Sequence, residues 1–147
     1  MIRHIVHINI NVSDIERSVA FYRLLGFEVM HVLSDAPSDD VRQLMHFGGR
    51  TTRGAVMSLG DDPLTSTKIE LLEPVDPPPE PQGELPENRL GFSRLALRTK
   101  NLIPFYEKLK AAGVAFLSEP IEIDVVGAKR YVLFRDPDGT LLELIEF

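Results

Sequence analysis

Two stretches of the chain carry the same order of sequence signals, and this repeat constrains the fold more than any other feature. Alternating polar and apolar residues over 2–12 indicate a strand, and a helical spacing of apolar residues follows until Gly26. After a proline-rich segment the order returns, with a strand pattern over 92–99 and a helical pattern that ends at Gly113. A chain that repeats its signals in this way is expected to contain two copies of one structural module.

Matching landmarks make the repeat specific. His7 lies seven residues before Asp14, where the first helix is predicted to start. Arg94 lies seven residues before Asn101, where the second helix is predicted to start. The closing strands match as well, because the segment ELLE that begins at Glu70 corresponds to the segment ELIE that begins at Glu143. We therefore predict that His7 is equivalent to Arg94, and that Glu70 is equivalent to Glu143.

The repeat predicts an α+β fold, with two βαβββ modules in one chain that form an open barrel-like cleft. Further strands are predicted over 27–33, 41–47, 54–59 and 67–73 in the first half and over 115–118, 121–126, 129–134 and 141–147 in the second. The segment 74–86 holds six of the eleven prolines, which neither continue a helix nor donate to a sheet. We predict a single domain over 1–147, with module one at 1–73, a linker at 74–91 and module two at 92–147.

The first turn of each predicted helix carries a capping signal. Ser13 and Glu16 have the spacing of a capping box, in which the two side chains bond to each other's backbone N–H groups. Asn101 is the matching N-cap candidate in the second half. We expect these side chains to satisfy the free N–H groups at the helix starts.

Composition limits the classes of partner. The formal charge is −6, with 22 acidic and 16 basic residues, so the chain lacks the positive field that nucleic acid would require. The absence of cysteine excludes thiolate chemistry and cysteine-based metal sites. Residues 2–12 do not form the apolar core of a signal peptide, and no window approaches the roughly 20 apolar residues of a membrane span. We expect a cytoplasmic protein that binds neither nucleic acid nor membrane.

Two glutamates stand out as candidate site residues because apolar residues flank them on predicted strands. A carboxylate inside a sheet is costly without a partner, so Glu70 and Glu143 each need a metal ion or a cation such as Arg94. A pseudo-repeat that curves around a shared cleft would bring both glutamates together with His7 and Arg94. Glu73 and Glu146 are out of phase with Glu70 and Glu143, so we expect them on the solvent face.

Three segments of the sequence resemble the vicinal oxygen chelate superfamily, which includes glyoxalases, methylmalonyl-CoA epimerases, extradiol dioxygenases and bleomycin resistance proteins. They are HININVSDIERSVAFY over 7–22, IELLEP over 69–74 and RDPDGTLLEL over 135–144. The resemblance runs nearly end to end and identifies a fold better than a reaction. It implies a small-molecule ligand or substrate and a homodimer, which the exposed sheet edges also favour.

In metal-binding members, four ligands from the first and last strands of both modules hold a divalent ion. The resemblance carries this ligand role onto His7, Glu70 and Glu143, with Fe, Mn, Co, Ni or Zn as the candidate ions. The position of the third ligand is Arg94 here, and a guanidinium has no lone pair to offer a cation. We therefore favour a metal-free site over a site with three protein ligands.

Three functions are compatible with these residues. The favoured one is a glyoxalase-like lyase or isomerase, in which Arg94 holds an anionic or carbonyl oxygen and Glu143 or Glu70 moves a proton. The second is a three-ligand divalent-metal enzyme of the same superfamily, and the third is a drug-sequestering protein of the bleomycin resistance type that converts nothing. A dioxygenase is less favoured, because its iron sites resemble two histidines with one carboxylate.

Additional side chains are candidates for contact with the substrate. His7 is predicted to orient it, and His46 and Tyr131 are predicted to line the cleft. Arg53 and Met57 lie on middle strands and are candidates for shaping specificity, although either could equally fill the sheet.

Overall fold

A computed structural model describes residues 1–33, 51–76, 78–80 and 90–147, and the chain forms two compact units, Met1–Pro81 and Gln82–Phe147. Unit 1 contains β1 (Ile8–Asn11), α1 (Ile15–Leu24), β2 (Glu28–Leu33), β3 (Thr51–Leu59) and β4 (Thr67–Asp76). Unit 2 contains β5 (Leu95–Thr99), α2 (Leu102–Ala111), β6 (Ile121–Val125), β7 (Ala128–Arg135) and β8 (Leu141–Glu146). No helix in the described ranges is long and apolar enough to cross a membrane.

Each unit is an open four-stranded mixed sheet with one helix. The strand order is β1-β4-β3-β2 in unit 1 and β5-β8-β7-β6 in unit 2. In both sheets the strand before the helix pairs in parallel with the last strand, and the remaining pairs are antiparallel. The identical topology confirms the predicted α+β fold of two βαβββ modules.

Alternating side chains place the core between each sheet and its helix. In β4, Ile69 and Leu71 are fully buried, and in β8 the corresponding residues are Leu142 and Leu144. Full burial of one such side chain stabilises a fold by about 1.5–3 kcal/mol. Because neighbouring residues of a strand face opposite sides, Glu70 and Glu143 lie on the sheet face opposite to this core.

Several predicted strand boundaries are wrong where no partner strand accompanies the pattern. The strand predicted over 2–12 is observed only over Ile8–Asn11, and in the register of β1 with β4 the residues before Val6 lie beyond Thr67, the first residue of β4. The strand predicted over 115–118 is reduced to one isolated bridge at Phe116. The strand predicted over 41–47 lies outside the described residues.

Strand β4 also extends beyond its predicted end into the proline segment, as far as Asp76. Pro74 fits there because it pairs with Thr52 next to an irregularity of the ladder. On the other side β1 has already ended, since its last register partner in β4 is Leu72. A missing N–H is tolerated where no neighbour requires it.

The predicted capping box is wrong, because the N-cap of α1 is Asp14. Its side chain accepts a hydrogen bond from the Arg17 N–H at 2.9 Å. Ser13 Oγ instead accepts from Arg17 Nη2 at 2.8 Å. Asn101 is the N-cap residue of α2, as predicted, but its side chain makes no capping hydrogen bond.

Glu73 and Glu146 each accept a hydrogen bond from the first residue of a helix. Their predicted position on the solvent face is therefore wrong. The Ile15 N–H donates to Glu73 Oε2 at 3.1 Å, and the Leu102 N–H donates to Glu146 Oε2 at 3.0 Å. Only 12% of the Glu73 side chain and 13% of the Glu146 side chain are exposed. Both residues do face away from Glu70 and Glu143, but the face they occupy is the one that the helix covers.

Candidate functional site

In unit 1 a histidine and a glutamate meet on the sheet face opposite to α1. His7 directly precedes β1, and Glu70 lies in β4, where its register partner is Asn9. His7 Nε2 is 3.2 Å from Glu70 Oε2, and only 11% of the Glu70 side chain is exposed, against 41% for His7. The imidazole therefore supplies the polar partner that this largely buried carboxylate requires.

In unit 2 an arginine and a glutamate meet in the same way. Arg94 directly precedes β5, and Glu143 lies in β8, where its register partner is Ala96. Arg94 Nε is 2.7 Å from Glu143 Oε2, with 11% of the Glu143 side chain and 49% of the Arg94 side chain exposed. The guanidinium therefore supplies the charged partner that this largely buried carboxylate requires.

The parallel pairing of the first and last strands produces both pairs. In each unit the first member stands two residues before the register partner of the glutamate, so the same sheet geometry brings His7 to Glu70 and Arg94 to Glu143. This placement agrees with the equivalences that the repeat predicts. The convergence of all four side chains on one pocket stays a prediction from the sequence.

The other candidates have different positions. His46 lies outside the described residues. Tyr131 is half-buried in β7 and pairs with Ile145, which puts it on the same sheet face as Glu143. Met57 is fully buried in the core.

Arg53 belongs to the helix side of its sheet and not to the candidate site. Its Nη2 is 2.7 Å from Glu73 Oε2, and its Nη1 donates to Glu16 Oε1 at 3.1 Å. It therefore links the sheet to the first turn of α1, a role that strand position alone does not reveal.

The residues do not fit the four-ligand metal site that the superfamily resemblance implies. Unit 1 offers an imidazole and a carboxylate, which are good donors for a divalent ion. Unit 2 offers one carboxylate, Glu143, and a guanidinium that is permanently protonated and has no lone pair. Among the residues that the structure describes, no three His, Cys, Asp or Glu side chains form a group that could hold a metal ion.

One further side chain on this face was not among the sequence candidates. Arg98 lies in β5 four residues after Arg94 and pairs in register with Ile145, so it faces the same side as Glu143. The signal was available, because residues of equal parity in a strand share a face.

Comparisons with known proteins agree with this architecture. The sequence model of the Glyoxalase/Bleomycin resistance protein/Dioxygenase superfamily matches residues 4–144. The uncharacterized protein YwkD of Bacillus subtilis (strain 168) is 29% identical over 147 residues, which cover 99% of this chain and 98% of that protein.

Solved structures show the same fold. A glyoxalase family protein from Bacillus cereus has a TM-score of 0.82 at 18% identity, with 99% of this chain and 95% of that chain covered. The trypanothione-dependent glyoxalase I of Leishmania major has a TM-score of 0.66 at 21% identity, with 98% and 86% covered. At such identities the likeness shows the fold alone and carries no reaction with it.

Proposed function

Because this chain belongs to the Glyoxalase/Bleomycin resistance protein/Dioxygenase superfamily, we propose that it is a small-molecule enzyme of the lyase or isomerase type with a metal-independent site. One observation carries the proposal: Arg94 Nε lies 2.7 Å from Glu143 Oε2, at the position where the superfamily resemblance expects a metal ligand. A guanidinium at this position can stabilise negative charge on a substrate oxygen, as a divalent metal ion would. Unlike a metal ion, it is not coordinated by neighbouring side chains.

Arg94 is suited to hold an oxyanion. Its contact with Glu143 engages Nε, and within the described part of the chain it forms no other ion pair. With 49% of its side chain exposed, the Nη groups can donate to a substrate oxygen. Donors of this kind stabilise the negative charge that develops on a carbonyl oxygen during enolisation.

Glu143 is suited to move the proton. Its Oε2 faces Arg94, which leaves Oε1 to accept a proton from the carbon next to the substrate carbonyl. The electron pair of the broken C–H bond then forms a C=C bond, and the carbonyl π pair moves onto the oxygen that Arg94 stabilises. Where the deprotonated carbon carries a hydroxyl group, return of the carbon-bound proton to the former carbonyl carbon, with transfer of the hydroxyl proton to the former carbonyl oxygen, gives an isomer. Where the next carbon carries a leaving group, the enolate re-forms the carbonyl, its C=C pair forms the new double bond, and the leaving group departs with its bonding pair to give a lyase product.

In unit 1 the equivalent pair gives His7 a substrate-orienting role in this proposal. An imidazole both donates and accepts hydrogen bonds near neutral pH, so it can bind a hydroxyl or a carbonyl group. Glu70 is the second candidate for proton transfer, because it stands at the position equivalent to Glu143. Separate substitution of the two glutamates distinguishes them.

Deuterium exchange with simple 2-oxo acids tests the proposal and does not require the natural substrate. Protein stripped of metal with EDTA is incubated in D2O with pyruvate, 2-oxobutanoate or oxaloacetate. NMR then follows the loss of the signal from the protons on the carbon next to the carbonyl group. We expect catalysed exchange that Glu143→Gln slows by about 10²-fold or more and that Arg94→Gln slows by about 10²-fold. Glu107→Gln, on the exposed surface of α2, is the matched control and should leave the rate unchanged.

The other two candidate functions give different results in the same experiment. Exchange that appears only after a divalent ion is restored would support the metal enzyme. Saturable binding of a 2-oxo acid with no exchange over long incubation would support a binding protein of the resistance type.

A further inference from the structure

Arg98 lies on the same sheet face as the Arg94–Glu143 pair. It is four residues after Arg94 in the sequence, and its register partner is two residues after Glu143. Its partner in β8 is Ile145, and Ile145 pairs on its other side with Tyr131 of β7. Ile145 and Tyr131 are half-buried, so they present an apolar surface that is still accessible. This face of unit 2 therefore carries two arginines. Arg94 lies next to Glu143, and Arg98 lies next to the apolar surface of Ile145 and Tyr131.

The side chain of Arg98 contacts an aromatic ring, and among the described residues no acidic side chain pairs with it. Its guanidinium carbon lies 5.2 Å from the centroid of the Phe147 ring, within the range of a cation–π contact. Arg98 is exposed and makes no ion pair among the described residues. This contact uses no oxygen acceptor, and no hydrogen bond from the Arg98 guanidinium to an oxygen is found among the described residues, so its N–H groups can donate to an oxygen ligand.

The other arginines within residues 90–147 all have oxygen partners. Arg94 pairs with Glu143, Arg130 Nη2 lies 3.3 Å from Glu122 Oε1, and Arg135 Nη1 donates to the Gly139 carbonyl at 2.7 Å. Arg98 differs from them because its charge is balanced by nothing that the structure describes in this unit. A held but unneutralised cation is well suited to bind an anion.

We propose that Arg98 binds a second anionic group of an elongated substrate, while Arg94 binds the oxygen at the reacting end. Phe147 follows Glu143 by four residues, so the two anion positions are separated by about 13 Å along the strand. The substrate class is a molecule with an apolar middle and a carboxylate or phosphate at its far end. This inference rests on the proposed role of Arg94 and adds the recognition of the distal group.

Pairs of carboxylates that differ only at the far end test the inference. Sebacate and decanoate have the same chain length, but only sebacate has a second carboxylate; succinate and butyrate are the corresponding short pair. Calorimetric titration of the wild type should show sebacate binding about fivefold more tightly than decanoate, because a charge-assisted hydrogen bond is gained. Succinate should show no such gain over butyrate, since it is too short to reach both arginines.

Three variants separate the possible causes. Arg98→Gln should remove the advantage of sebacate and leave decanoate binding unchanged. Lys108→Gln removes the same unit of charge from the exposed side of α2 and should behave as the wild type. Arg94→Gln should weaken the binding of both sebacate and decanoate, because it removes the arginine that both ligands contact.

Two results would overturn the assignment of Arg98: equal binding of sebacate and decanoate by the wild type, or an undiminished preference for sebacate in Arg98→Gln. In both cases decanoate binding that still depends on Arg94 would leave the proposed function intact. If the wild type binds neither long carboxylate, or if Arg94→Gln has no effect on decanoate, the anion-binding role of Arg94 fails together with this inference.

Discussion

Position 94 decides which chemistry the second unit can support, because it holds the partner of Glu143. An arginine there supplies donors and charge, whereas a histidine would supply a lone pair. We expect Arg94→His to bind Ni²⁺ at least about tenfold more tightly than the wild type, since His and Glu143 would then offer two donors from adjacent strands. Calorimetric titration of the two proteins with Ni²⁺ measures the difference.

Arg94→Met is the matched control for that experiment. It removes the positive charge without adding a nitrogen ligand, so it should bind Ni²⁺ more weakly than Arg94→His. Equal gains in the two variants would mean that charge repulsion alone opposes metal binding and that the added imidazole is not a ligand.

Val126 occupies a backbone conformation that a β-branched residue rarely adopts. It has a φ of 52° and is followed by Gly127 with a φ of 81°, as in the two-residue turn of a type I′ hairpin between β6 and β7. Val126→Asn should stabilise the protein by about 1 kcal/mol, because asparagine tolerates the left-handed region far better. Urea unfolding measures the change.

Val125→Asn provides the comparison for Val126→Asn. Val125 is the last residue of β6, where valine suits the strand and asparagine does not. That variant should therefore be neutral or destabilising. A similar stabilisation at both positions would attribute the effect to lower surface hydrophobicity and not to the turn.

The sequence does not reveal this turn, although it predicts a strand on each side of it. Valine is a strong strand former, so the predicted strand ran through residue 126, one residue beyond the observed end of β6. Hairpin turns are recognised by Asn-Gly or Asp-Gly, and Val126 breaks that rule while Gly127 keeps it. The conformation is imposed by the pairing of β6 with β7, which no local pattern encodes.

At the level of the elements, each helix is capped by a glutamate from the last strand of its own sheet. In α2 this glutamate, Glu146, replaces the N-cap side chain of Asn101, which makes no capping bond. We expect Glu146→Ala to destabilise the protein by about 1–2 kcal/mol, because the Leu102 N–H loses its acceptor. Asn101→Ala should cost less than about 0.5 kcal/mol in the same urea unfolding measurement. A larger loss for Asn101→Ala would contradict this account.

These two glutamates show what a strand pattern can and cannot predict. Parity correctly placed Glu73 and Glu146 on the face opposite to Glu70 and Glu143. It could not tell which face the helix covers, because both faces of β4 and β8 are largely buried. The assignment to solvent failed for that reason.

A hydrogen-bonded cluster connects α2 to the segment after it. Tyr106 Oη donates to Glu119 Oε2 at 2.8 Å, and Lys110 Nζ donates to Tyr106 Oη at 3.0 Å and to Glu119 Oε1 at 3.1 Å. The bond from Tyr106 first, and then that from Lys110, holds the pKa of Glu119 below its ordinary value. The bonds of the ammonium group to Tyr106 first, and then to Glu119, raise the pKa of Lys110.

A lowered pKa makes the contribution of Glu119 dependent on pH. Glu119 stabilises the folded state at pH values above about 4.3, the pKa of a glutamate carboxyl in an unfolded chain. This stabilisation is lost as the pH falls through the lower pKa that the carboxyl has in the folded state. Glu119→Gln should therefore lower the urea midpoint slightly at neutral pH and should match the wild type at the acid end of the titration. Glu107→Gln, which is exposed on the same helix, should follow the wild type throughout. A difference that persists in acid would assign the effect to packing.

For the whole molecule, the repeat in the sequence predicts the topology of both units and the equivalence of His7 with Arg94 and of Glu70 with Glu143, but it does not predict that His7 contacts Glu70. His7, Glu70, Arg94 and Glu143 are predicted from their matching positions in the two halves of the sequence, and the parallel pairing of the first and last strands in each unit is what brings the members of each pair together. Strand parity already places Arg98 on the face of Arg94, but its contact with the uncharged ring of Phe147 has no counterpart in the pattern of charged residues. The predicted homodimer and the common pocket depend on contacts between units or chains, and they stay predictions.

The metal content of the intact protein tests the chemistry of unit 2 at the scale of the whole molecule. Arg94 places a permanent positive charge 2.7 Å from the carboxylate that a divalent ion would need. Protein purified without chelators should therefore contain well below one equivalent of Fe, Mn, Co, Ni or Zn by elemental analysis, and added metal should not raise its melting temperature. The Arg94→His variant supplies the positive control under the same conditions. One equivalent of tightly held metal in the wild type, with a melting temperature that EDTA lowers, would show that the remaining donors bind an ion despite the arginine, and the metal-independent mechanism would have to be abandoned.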